Sequence, residues 1–161
     1  MAQTDTSIPL RQPVRRYLLF LLVALLPLAS AQAGNLSGQV IAVPDATRIV
    51  LQTEQGERLR IKLAGIRYPQ GLLGGADIGK RHLHMLLAGR FVTVDVITRH
   101  PGGVILGRVL HGGADVGLQM LKSGLAETAA GDGLDPALLK RYRLAEQEAR
   151  SRQMGYWQPV R

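Results

Sequence analysis

The chain contains no cysteine, so disulfides, thiolate nucleophiles and thiolate metal ligands are all excluded. Aromatic residues make up only 4% of it, which leaves few rings on which bases could stack. Carboxylates are scarce as well: 12 Asp and Glu face 20 Lys and Arg, for a net charge of +8. That imbalance favours anionic partners such as nucleic acid, acidic glycans or anionic lipid surfaces. There is no internal repeat, and after the N-terminal segment there is no low-complexity stretch and no second long apolar run.

The N-terminus is different in kind. Arg11, Arg15 and Arg16 form a basic region ahead of an almost wholly apolar stretch at 17–29. Ala31-Gln32-Ala33 then offers a small-x-small cleavage pattern before Gly34. Residues 1–33 therefore read as a secretory signal peptide, with cleavage at Ala31 as a variant and an uncleaved anchor as the alternative. The apolar stretch is shorter than the ~20 residues a spanning helix needs. Without that segment the chain keeps 17 basic and 11 acidic side chains, a net +6. The expectation is one domain at 34–161, periplasmic or secreted, monomeric and without an integral membrane segment.

Strand signals come first. Residues 37–43 and 48–53 read as strands around a Pro44-Asp45-Ala46-Thr47 turn, and Gln55-Gly56 makes the next hairpin. Residues 58–66 alternate basic and apolar, with Arg58, Arg60 and Lys62 on one face and Leu59, Ile61 and Leu63 on the other. After a loop at 71–75, a helix spans 76–88 and ends before Gly89. Residues 91–97 and 104–110 are further strands around Pro101-Gly102-Gly103. Asp115 caps a short helix to Ser123, and Asp135 with Pro136 starts the last one. In that helix Leu138, Tyr142, Ala145 and Ala149 share a face. Five short strands with a helix between the third and fourth predict an α+β, mainly β fold: a five-stranded Greek-key barrel of OB type with about three helices.

The stretch Lys62-Leu63-Ala64-Gly65-Ile66-Arg67-Tyr68-Pro69-Gln70 resembles a motif of the thermonuclease (staphylococcal nuclease-like) family. That motif reads Arg-Leu-x-Gly-Ile-Asp-x-Pro-Glu. Further pieces agree in order: Val40-Ile41-Ala42-Val43 with Ile49-Val50-Leu51, Leu106-Gly107-Arg108-Val109, Ser123-Gly124-Leu125-Ala126, and Gly155-Tyr156-Trp157 after a helix. The resemblance runs from about Gly38 to Trp157. It implies a staphylococcal-nuclease-like OB-fold.

In that family the motif's Arg grips phosphate, its Asp binds calcium and its Glu handles the proton. The resemblance places Lys62, Arg67 and Gln70 at those positions. A second calcium-binding Asp falls on Thr47, and a second catalytic Arg falls on Val104. Calcium takes about six to eight oxygen ligands, several of them carboxylates. A cation at 67 and a hydroxyl at 47 oppose that, so no cofactor is expected. Gln70 cannot accept a proton, and losing a general base costs ~10²–10⁴-fold in rate. Lys62 keeps a charge without the bidentate fork of Arg. The implied reading is a domain lacking family-type phosphodiesterase activity.

What remains at these positions is Asp45, Thr47, Lys62, Arg67, Tyr68 and Gln70, a candidate site for an anion or a nucleic acid. Tyr68 is the aromatic placed to stack a base; Phe91, Tyr142, Tyr156 and Trp157 read as structural. Single-stranded DNA or RNA is the expected partner, with another polyanion as the alternative. Two rival readings stay open. One is an active nuclease with a non-standard metal site drawing on Asp45, Asp77, Asp95 and Asp115. The other is a module that docks a protein or an acidic envelope polymer. His82 and His84 lie two apart on a predicted helix and face different ways, so a shared metal is not expected.

Overall fold

The first strand, β1 (Asn35–Asp45), is long enough to serve two neighbours. Its first half pairs antiparallel with β5 (Phe91–Arg99), Asn35 opposite Asp95 and Gln39 opposite Phe91. Its second half pairs antiparallel with β2 (Arg48–Gln52), Gln39 opposite Gln52 and Asp45 opposite Arg48. Register shifts on either side of Ala42 bend the strand between these partners. β2 continues antiparallel to β3 (Arg58–Leu63), and β5 to β6 (Val104–His111). A parallel pairing of β3 with β6, Arg60 opposite Val104 and Leu63 opposite Gly107, closes a five-stranded barrel. Among the described residues, closure leaves no long open edge. The computed structural model describes residues 34–69 and 76–159, without the side chains of Ala76 and Asp77. The expected signal segment, Gln70 and the 71–75 loop lie outside the described residues.

Alternation explains the interior. Leu59, Ile61 and Leu63 point in from β3, Ile49 and Leu51 from β2, and Val92 and Val94 from β5. Helix α1 (Ala76–Leu87) adds Leu83 and Leu87 to this core, both fully buried. The short strand β7 (Ala114–Asp115) leads into α2 (Val116–Lys122), which buries Val116, Met120 and Leu121. Helix α3 (Pro136–Ser151) lays Tyr142, Ala145 and Ala149 inward, as its spacing predicts. Both expected caps are present. Asp115 accepts from the Leu118 N–H at 3.0 Å, and Asp135 accepts from the Ala137 and Leu138 N–H groups. A 3₁₀ turn, Gly155–Trp157, is the last element among the described residues. Among the described residues no helix is long and apolar enough to cross a membrane.

Three details depart from the sequence reading. The strand expected over 58–66 stops at Leu63. Gly65 adopts φ +74°, its N–H donates to the Asp132 carboxylate at 2.9 Å, and its carbonyl accepts from Ala129 at 2.8 Å. Those bonds turn the chain out of the barrel into a two-residue strand, β4 (Ile66–Arg67), paired with β8 (Glu127–Thr128). The expected four-residue turn at 44–47 narrows to Ala46 and Thr47, because Asp45 already pairs with Arg48. Phe91 is 65% exposed rather than structural, since the alternation that buries Val92 turns its neighbour outward.

Candidate functional site

The fold brings part of the predicted set together. Asp45 is the Cα partner of Arg48, and Arg48 of Lys62, so the β1–β2 turn lies beside the end of β3. The Leu63 N–H donates to the Thr47 carbonyl at 2.8 Å and locks that approach. Arg67 and Tyr68 follow the Gly65 turn and sit on or after β4.

Asp45 is occupied locally. One carboxylate oxygen accepts from the Thr47 N–H at 2.8 Å and the Thr47 hydroxyl at 2.9 Å; the other binds the Arg48 guanidinium. Burial pushes this carboxyl up, but the bonds from Thr47 and Arg48 outweigh it and hold it below its ordinary value. The position is therefore anionic at neutral pH and already neutralised.

The two cations have partners no local motif announces. Lys62 lies 3.8 Å from Asp132, and Arg67 lies 3.1 Å from Glu127, its cross-strand neighbour. Arg67 thus pairs with Glu127 and not with Asp45. Glu127 also reaches Arg150 at 3.6 Å, and Arg150 binds Glu146 one helical turn earlier. The Arg150 guanidinium stacks over Trp157 at 4.0 Å. Burial raises Glu146, but the Thr128 N–H and Arg150 lower it further, so it too sits below its ordinary value. Counting only Asp45, Lys62 and Arg67 gives +1. Adding Arg48, Glu127 and Asp132 makes three charges of each sign. Glu127 and Asp132 escape the sequence reading because they lie far along the chain; only the β4–β8 pairing and the Gly65 turn bring them in.

Tyr68 is half-buried and meets Tyr156 edge-on, ring centroids 5.7 Å apart. The Tyr156 hydroxyl in turn accepts from the Gly79 N–H at 2.8 Å. Gln70 lies outside the described residues.

The carboxylates weighed for a relocated metal site are used elsewhere. Arg108 bridges Asp115 at 2.7 Å and Asp95 at 3.5 Å. Asp115 is buried, caps α2 and accepts from the Tyr142 hydroxyl at 2.8 Å. The bond to Asp115 raises the Arg108 pKa, and burial together with the Asp115 charge drives the Tyr142 phenol well above its usual range. Asp77 has no described side chain. Among the described residues no group of three His, Cys, Asp or Glu could hold a metal. His82 contacts the Ser123 hydroxyl at 3.4 Å, and burial lowers its pKa.

A closed five-stranded mixed barrel, a helix between its third and fourth barrel strands, and two helices after it define a nuclease-like OB-fold. Residues 60–159 match the staphylococcal nuclease homologue family, and the chain belongs to that family. The match takes in Lys62, Arg67 and Gln70 and begins after the turn holding Asp45 and Thr47. A comparison with curated proteins finds no match.

Proposed function

We propose that this is an exported nuclease-like domain of the periplasm or cell exterior, without calcium-dependent phosphodiesterase activity, that binds an anionic polymer, single-stranded DNA or RNA first. The observation that carries it is Arg67. The resemblance puts a metal-binding carboxylate there; this chain puts a guanidinium, held 3.1 Å from Glu127. A cation at that position repels a divalent ion. Thr47 donates its hydroxyl to Asp45 instead of offering a second carboxylate, and Gln70 supplies no base. Lys62 and Arg67 remain partly exposed, at 40% and 56%, so incoming phosphates can compete for them with Asp132 and Glu127. Asp45 and Thr47 hold the turn beside Lys62, and Tyr68 directly follows Arg67 in the chain.

The test is a cleavage and binding assay on the purified chain with single-stranded DNA and RNA, in calcium, magnesium, manganese or EDTA. Binding without cleavage, weakening as salt rises, is the expected result. Cleavage that EDTA abolishes and Asp45→Ala removes would make this a metal-dependent nuclease. Neither cleavage nor binding at low salt would leave a protein or an acidic envelope polymer as the partner.

A further inference from the structure

Beyond the predicted site residues, the outer face of the barrel carries a second basic feature. A groove of about 210 Å³ runs over β2, β3 and β6. Pro44, Val50 and Val104 give it apolar walls, and Arg48 and Arg60 give it charge. Among the described residues, no carboxylate lines it. Strand alternation explains why: Arg58 and Arg60 point outward while Leu59 and Ile61 fill the core. Pairing then sets Val50 and Val104 on either side of Arg60, and Gln52 beside Arg58.

The charges here are less compensated than Lys62 and Arg67. Lys62 and Arg67 each face a carboxylate. Arg60 instead donates to the neutral Gly102 carbonyl, which orients its guanidinium, and makes no ion pair among the described residues. Arg58 makes no ion pair among the described residues. Arg48 shares its charge with Asp45 at the groove's end, next to Lys62. Alternate residues on a strand lie about 6.6 Å apart, so Arg58, Arg60 and Lys62 form a ladder within reach of successive phosphates on an extended strand.

We propose that single-stranded nucleic acid runs from Lys62, at the end of β3, back along that strand, with phosphates on Arg48, Arg60 and Arg58 and a sugar or base edge against Pro44, Val50 and Val104. This rests on the reading given under Proposed function and adds the path. With no aromatic among the described residues of the groove, the grip is electrostatic and indifferent to sequence.

The test uses a labelled oligothymidylate and the purified chain, with anisotropy read across a salt series. Arg58→Gln with Arg60→Gln should weaken binding about tenfold or more. It should also flatten the log–log salt slope by about 0.7 for each phosphate the protein no longer neutralises. Both side chains are exposed, so the thermal midpoint should hold. Val50→Glu, which puts a negative charge in the groove and leaves every cation in place, should weaken binding in the same direction. If both variants bind like the parent while Lys62→Gln with Arg67→Gln loses affinity, the path is wrong and the reading under Proposed function stands. If the parent chain fails to bind the probe even at low salt, the path and the reading under Proposed function both fall.

Discussion

Two arginine–carboxylate clusters in this molecule share a chemistry and differ in burial. Around Arg108, the guanidinium is 29% exposed and its partner Asp115 only 6%. Around Arg67, the guanidinium is 56% exposed and Glu127 14%. The first cluster ties β6, α2 and α3 together through the Tyr142 hydroxyl and the α2 cap. The second sits at the rim where β4 meets β8. A buried pair is costly to break because the remaining partner has no water to turn to. An exposed pair contributes little to stability and can exchange its partner for another anion. Burial therefore assigns the first cluster to the scaffold and leaves the second, at the exposed rim, free to exchange partners.

The sharpest way to break this contrast is Asp115→Ala. It strands Arg108 and Tyr142 and uncaps α2, and should lower the unfolding free energy by about 3 kcal/mol in urea titration. A loss below about 1 kcal/mol would make the two clusters equivalent. Gly65→Ala comes next. Its left-handed φ and a β-carbon colliding with Leu134 and Tyr142 should cost about 2 kcal/mol or more. This change would also displace the turn that brings Asp132 to Lys62, so oligonucleotide binding should shift as well.

At the rim, Arg67→Ala should alter stability by less than about 1 kcal/mol while changing the salt dependence of oligonucleotide binding. A large stability loss with unaltered binding would reverse the assignment of roles.

The finest discrimination is by pH. His82, Asp45 and Glu146 all carry lowered pKa values in the fold. The unfolded chain therefore takes up protons first as pH falls. The associated stability is complete above the unfolded values and is lost as pH falls through the folded ones. Urea midpoints should start to drop below about pH 6.5 through His82, and drop further below about pH 4 through the carboxylates. Asp45→Asn should flatten only the lower limb. A drop confined to alkaline pH would contradict the sign.

The barrel was legible in the sequence because its period-two alternation is carried by neighbouring residues. Arg58 to Leu63 shows the outward cations and inward aliphatics directly, and both helix caps announce themselves by residue type and position. The end of β3 was not legible. Its alternation runs on to Ile66, and only the distant Asp132 and Ala129, bonding to Gly65, divert the chain at Leu63. The candidate site divides in the same way. The motif frame marked Lys62 and Arg67, and nothing near them marked Glu127, Asp132 or Arg150.

By itself the sequence determined the strand order, the caps, the family resemblance and the substitution of the family's acid and base positions, since each lives in a short window of residue types. Only the tertiary structure decided which carboxylate each cation faces and which arginines lack an ion pair among the described residues. Those pairings arise from strand register and barrel closure, which join residues far apart in the chain, and Coulomb attraction depends on that separation in space and on the access of water.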